Sequence, residues 1–223
     1  MKLDLWFSLT ILTCCLAAYL IGSINLSIIL SKLFFKKDVR EYGSGNAGLT
    51  NANRTMGKGI AAVVLLWDTA KPIIAILIGK YLLFPAFGFP YSFEKMIVFI
   101  VGFWAFFGHI CPIWHGFKGG KGILTAAGTV LLFDWKTLVI VLVIFLIFTA
   151  VTRIVSVGSI AAAIALPIVH CVLDLVFGEP IKDILLCFVL TFIMTAALII
   201  GHRGNIKRLM KGEEKKFTDK VKM

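Results

Sequence analysis

The sequence predicts an all-α integral membrane protein of about seven transmembrane helices. Its N-terminus is expected outside and its C-terminus in the cytoplasm, with short glycine-rich cytoplasmic loops forming a site. Three observations carry this reading. The 223 residues are 59% hydrophobic and only 16% charged, with a mean hydropathy of +0.95, too apolar for a water-solvated surface. Several apolar runs approach the ~20 residues needed to cross a ~30 Å hydrocarbon core. The positive charge, a net +11, gathers in a few segments between those runs.

The first run, 6–31, is too long for the ~7–15-residue core of a signal peptide and lacks a small-residue cleavage pattern, so it reads as a span. Gly22, Ser23 and Asn25 fall inside it, where small residues let helices pack closely. The second, 59–84, carries Asp68 and Lys71, three apart and able to pair. Charges are costly in hydrocarbon, and this pair reads as a structural brace for the inner loops. Pro72 predicts a bend or break there. Runs 95–114, 136–152, 156–177 and 183–201 are further spans, and 121–133 crosses only as a short or sheltered helix. His170 and Asp174, four apart, read as a local hydrogen-bond pair. No soluble domain fits between spans, so residues 1–223 read as one membrane domain with a basic tail from about residue 203.

Cys14, Cys15, Cys111, Cys171 and Cys187 all lie in or at the ends of apolar runs. An odd count without paired spacing argues against a disulfide framework or a zinc site, and they read as packing residues.

Charge sets the orientation. Positive residues concentrate in 32–58, in 116–121 and in the tail, which holds eight from Arg203 to Lys222. Loops rich in Lys and Arg stay in the cytoplasm. Seven spans counted back from an inner tail place the N-terminus outside and 32–58, 116–121 and the Arg153 turn inside. The opposite segments, 85–94, 134–135 and 178–182, carry one lysine, Lys182. Topology and contact with anionic membrane lipids therefore account for the basicity, and nucleic acid is not indicated.

The inner loops hold more than charge. "REYGSGNAGLTNANRTMGKG" (40–59) packs five glycines and three asparagines around Ser44, Thr50, Arg54 and Thr55. Glycine permits close backbone approach to a ligand, and successive N–H groups form anion-binding nests. "FKGGKG" (117–122) sets Lys118 and Lys121 around two glycines just before an apolar helix, an arrangement suited to phosphate. It is not a nucleotide-binding P-loop, because the upstream glycine is missing and Gly122 follows Lys121. "GHRGNIKRL" (201–209) brings His202, Arg203 and Asn205 out at the same face. His109 is expected to hold the 116–122 loop by a structural hydrogen bond, and His115 to be interfacial.

What these loops lack also constrains the chemistry. A metal-dependent phosphotransferase needs clustered carboxylates, and this face offers only Asp38, Glu41 and the scattered tail acids Glu213, Glu214 and Asp219. There is no Ser-His-Asp set or activated cysteine. Transfer from an already activated donor is expected, with no metal, no cofactor and no covalent intermediate.

Three stretches, "GSGNAGLTNANRTMGK" (43–58), "GHICPIWHGFKGGKG" (108–122) and "HRGNIKRL" (202–209), supported by "YLIGSIN" (19–25) and "WDTAK" (67–71), make the chain resemble the bacterial acyl-phosphate:glycerol-3-phosphate acyltransferase family, PlsY, over nearly its whole length. The resemblance implies seven spans and a multi-pass protein of the bacterial cytoplasmic membrane. It also implies glycerol 3-phosphate and acyl phosphate as substrates, lysophosphatidic acid as product, and no obligatory protein partner. By position it assigns phosphate and substrate ligation to Ser44, Arg54, Lys121, His202 and Asn205. Gly43, Gly45, Asn46, Thr50, Asn51, Gly119, Gly120 and Gly122 belong to the same motifs. Leu49, Ile123, Leu124 and Gly204 depart from the family pattern in bulk but spare every polar ligand. The base for the attacking hydroxyl is either His202 or a substrate phosphate oxygen. An alternative, a membrane transporter of a phosphorylated anion, is disfavoured because the charges gather at one face and no inverted repeat is evident.

Overall fold

In hydrocarbon a chain must satisfy its backbone internally, and the helix does so within one segment. Every regular element among the described residues is helical. A computed structural model describes residues 2–88 and 95–216. The loop around Tyr91 and the tail residues Asp219, Lys220 and Lys222 lie outside the described residues. Six helical segments are long and apolar enough to cross a membrane. Their outer surfaces carry exposed side chains such as Leu12, Leu66, Leu146 and Leu185, as lipid contact requires.

Two compact units divide the chain, one running through Phe133 and the other beginning at Asp134. The first contains α1 (Lys2–Gly22), α2 (Leu26–Phe35), α3 (Leu49–Met56), α4 (Lys58–Ile78), α5 (Phe84–Ala86), α6 (Lys95–Ile110) and α7 (Ile123–Phe133). A π-helical stretch, Gly79–Leu83, joins α4 to α5. The second contains α8 (Trp135–Thr152), α9 (Val155–Val176), α10 (Ile181–Gly201) and α11 (Arg203–Met210).

The first apolar run belongs to one candidate span, Leu5–Phe35, but it is not a single unbroken helix. α1 ends at Gly22, and Asn25 caps a new helix by accepting the Ile28 N–H on its side-chain oxygen. Twenty-one residues already rise about 31 Å, so α1 alone matches the hydrocarbon thickness. Pro72 does not break α4, which runs through it. Its ring is accommodated where α7 presents Gly128: a Cβ there would lie 2.8 Å from Pro72 Cγ and 2.2 Å from the Thr69 carbonyl.

Small residues set the other close approaches in this unit. A Cβ on Gly22 would sit 2.0 Å from the Ala105 carbonyl oxygen, and one on Gly108 2.3 Å from that of Tyr19. Backbone-on-backbone packing of α1 and α6 therefore requires glycine at both points, as small residues do generally in membrane helix pairs. α7, eleven residues long, rises only about 17 Å. It is the short helix expected from the sequence, and it buries Thr125, Ala126, Gly128, Thr129, Val130 and Phe133.

In the second unit, Gly158 lets α9 approach α8: a Cβ there would lie 2.5 Å from the Phe145 carbonyl. The hydroxyl of Thr195 on α10 donates to the Ala163 carbonyl on α9 at 2.8 Å.

Candidate active site

In the first unit, two glycine-rich loops come from separate stretches of the chain, 39–48 and 116–122, and are pinned by polar groups. Asn51, on α3 and 1% exposed, donates through Nδ2 to the carbonyls of Val39 and Tyr42, both at 3.0 Å, and accepts the Ser44 N–H at 2.8 Å. Its amide is therefore engaged in holding the 39–44 loop, and it acts on the site through that loop. Gly43 (φ +63°) lies so near that a Cβ would meet Asn51 Oδ1 at 2.2 Å. Asn25 reaches the far end of the same loop, donating to the Ala47 carbonyl at 3.2 Å. Ser44, Asn46 and Thr50 are half-buried, whereas Gly43 and Gly45 are exposed. Arg54, in the last turn of α3, is 8% exposed.

The second loop folds back on α6. The N–H groups of Gly119 and Gly120 donate to the carbonyls of Ile110 and His109, at 3.0 and 3.1 Å. A Cβ on Gly119 would sit 1.9 Å from the His109 carbonyl, and one on Gly120 2.1 Å from His109 Nε2. These two glycines thus serve close packing, and their amides are not available as the phosphate donors the motif suggested. Donors remain beyond them, since an α-helix leaves its first N–H groups without intrahelical acceptors. The half-buried Lys121 stands immediately before α7. Lys118 is exposed.

His109 holds this loop, as expected, and the structure ties it to the charged pair. Lys71 Nζ is 2.9 Å from Asp68 Oδ1 and 2.7 Å from His109 Nδ1. The same Nδ1 lies 3.4 Å from Asp68 Oδ1, so the imidazole, the lysine and the carboxylate form one buried cluster.

Arg40 was not singled out by the motif reading. Its fork pairs with both Asp38 oxygens, at 2.9 and 2.7 Å, while Nη1 donates to the carbonyls of His115 and Lys118, each at 2.8 Å. One side chain therefore clamps the first glycine loop to the second. The hydrogen bond from Arg40 outweighs partial burial and holds the Asp38 carboxyl far below its usual range. The only sequence trace of this is the Asp-Val-Arg spacing.

In the second unit, His202 is 2% exposed and Asn205 6%. His202 Nδ1 donates to the Leu198 carbonyl at 2.8 Å, which leaves the lone pair of the neutral ring on Nε2. Asn205 Nδ2 donates to Glu214 Oε1, and Arg208 Nε donates to Glu214 Oε2 at 2.6 Å. Ser156 adds a third donor at 2.9 Å. Glu214 is therefore no scattered tail acid: its side chain is 5% exposed and organises this corner. Burial opposes its charge, but the three donors prevail and hold its carboxyl below the usual range.

A family of sequences described as glycerol-3-phosphate acyltransferase matches residues 12–212. The chain is 41% identical to a glycerol-3-phosphate acyltransferase of Chlorobaculum tepidum, covering 94% of this chain and 97% of that one. It is 38% identical to one of Syntrophomonas wolfei, covering 91% and 95%. The crystal structure of PlsY (YgiH), an integral membrane glycerol 3-phosphate acyltransferase, in its glycerol 3-phosphate form superposes with a TM-score of 0.76. That chain is 32% identical, with coverage of 92% of this chain and 94% of that one.

Proposed function

The chain belongs to the glycerol-3-phosphate acyltransferase family, and from that premise we propose that it transfers a fatty acyl group from acyl phosphate to the 1-hydroxyl of glycerol 3-phosphate. It is a PlsY-like integral membrane enzyme. In the proposed reaction the hydroxyl oxygen attacks the acyl carbonyl carbon, the anhydride C–O bond breaks, and inorganic phosphate leaves. Lysophosphatidic acid is the other product. Because the mixed anhydride is activated, positioning and charge stabilisation suffice.

What supports the reading is that each glycine-rich segment carries an inward-set cation: Arg54, buried in the last turn of α3, and Lys121, half-buried just before α7. Arg54 grips a phosphate with its planar fork. Lys121 and the first amides of α7 meet a second phosphate at a helix N-terminus. Ser44, Asn46 and Thr50 add neutral donors, Asn51 and the motif glycines shape the loops, and Asn205 orients a substrate oxygen. His202 offers Nε2 as an acceptor that orients the attacking hydroxyl, whose proton passes to a substrate phosphate oxygen. The whole chain acts as one acyltransferase domain in the cytoplasmic membrane, with its reacting groups at the cytoplasmic face and the acyl tail in lipid.

Phosphate release from palmitoyl phosphate and glycerol 3-phosphate, measured in detergent without added divalent ions, tests this. Matching formation of lysophosphatidic acid is the expected result. Acylation only from a thioester donor, or none until magnesium is added, would overturn the donor assignment.

A further inference from the structure

The second unit gathers a group of side chains that the acyl-transfer chemistry does not use. One ring nitrogen of His170, a carboxylate oxygen of Asp174 and Sγ of Cys187 lie within 4.8 Å of one another. The three residues are 1%, 5% and 5% exposed. His170 and Asp174 are four apart on α9 and so share a face, whereas Cys187 comes from α10. His170 Nε2 lies 3.3 Å from Asp174 Oδ2. Ligands at ~2.0–2.3 Å around a tetrahedral ion are roughly 3.3–3.8 Å apart, so the imidazole and carboxylate already stand at ligand separation.

The other face of the imidazole is prepared as well. His170 Nδ1 is 3.0 Å from Asp134 Oδ2. Asp134 is itself locked, because it caps α8 by accepting the N–H groups of Lys136 and Thr137 and the Thr137 hydroxyl. A carboxylate that takes one imidazole N–H turns the opposite nitrogen into a better ligand and fixes the ring plane, as seen around histidine-bound metals. Thiolate, imidazole and carboxylate together suit zinc or a similar transition-metal dication and not magnesium or calcium. They leave a fourth position for water.

We propose that Cys187, His170 and Asp174, with Asp134 behind the histidine, form a zinc-class metal site that staples α9 to α10. The cysteine spacing in the sequence hides it, because the donors lie on two helices. Binding releases the Cys187 thiol proton to solvent as the metal–sulfur bond forms, so affinity falls as pH drops. None of the four residues belongs to the acyl-transfer machinery, so the staple acts on stability and leaves turnover in the folded enzyme unchanged.

Cobalt(II) titration of the purified full chain in detergent tests the site. About one equivalent is expected to bind with a near-ultraviolet thiolate-to-cobalt charge-transfer band, and zinc is expected to displace it. Saturating zinc should raise the thermal midpoint by about 5–10 °C. Cys187→Ala should lose both signals while keeping wild-type acyltransferase rates at low temperature, and Cys171→Ala should keep both. His170→Gln supplies a second test should Cys187→Ala not be recovered intact. No thiolate band in the wild-type protein, or the same band in Cys187→Ala, would overturn the proposal.

Discussion

The side-chain amide of Asn205 donates to the carboxylate of Glu214 at 2.5 Å, and that carboxylate also receives Arg208 and Ser156. A residue of the basic tail thereby orients a proposed substrate ligand. Replacing Glu214 with alanine removes the acceptor that fixes the Asn205 amide. A lost charge-assisted hydrogen bond is worth about 1.5 kcal/mol, so kcat is expected to fall about tenfold. Glu214→Gln, which keeps an acceptor, should lose less. Wild-type kcat in an intact Glu214→Ala protein would show that Asn205 needs no such support.

The same carboxylate makes stability depend on pH. Glu214 and Asp38 are both held below the usual carboxylate ranges by the cations and hydrogen-bond donors around them. A carboxyl depressed in the folded state contributes stability fully above its unfolded pKa, and that contribution is lost as pH falls through the folded value. The thermal midpoint should therefore fall progressively as pH drops below about 5. Glu214→Gln and Asp38→Asn should each flatten the curve. Parallel curves for wild type and both variants would count against these ion-pair assignments.

Lys121 and Lys118 lie in one loop but should differ sharply. Lys121 is half-buried at the start of α7, whereas Lys118 is exposed and meets Arg40 through its backbone carbonyl. A charge contact that strengthens as phosphate departs is worth roughly 2–4 kcal/mol. Lys121→Ala should thus lose about 30- to 1,000-fold in turnover, and Lys118→Ala only a few-fold. Equal losses would mean that the loop acts as a diffuse positive patch.

Arg40 makes a separate prediction. Its fork satisfies Asp38 and two carbonyls of the other loop at once, a geometry that lysine cannot reproduce. Both Arg40→Ala and Arg40→Lys should raise the KM for glycerol 3-phosphate, by about five- to tenfold for a charged hydrogen bond lost between loops. Unchanged KM for Arg40→Lys would show that its charge alone matters.

Orientation is checked by thiol labelling in intact cells, in a background whose native cysteines are alanine. A cysteine at Lys215 should be protected from an impermeant reagent, and one at Glu179 should react. The reverse pattern would invert the proposed topology.

The sequence by itself determined the helical membrane class and nearly every helix, because long apolar runs leave the backbone few ways to satisfy itself in lipid. It also determined which loops carry cations and glycines, since composition is a local property. The break after Gly22 escaped it: Ser23, Ile24 and Asn25 look apolar or small enough to continue a span, and the break is held by contacts through space, from Asn25 to Ile28 and Ala47 and from Trp67 to the Ile24 carbonyl. The motif glycines were legible, but not that the amides of Gly119 and Gly120 close onto α6. The reach of Arg40 to the second loop, the contacts of Glu214, and the joining of Asp134 and Cys187 to the His170–Asp174 pair were decided by tertiary structure. Their meaning lies in partners that the chain separates by a loop or a helix, and a pattern read along the sequence carries no term for distance through space.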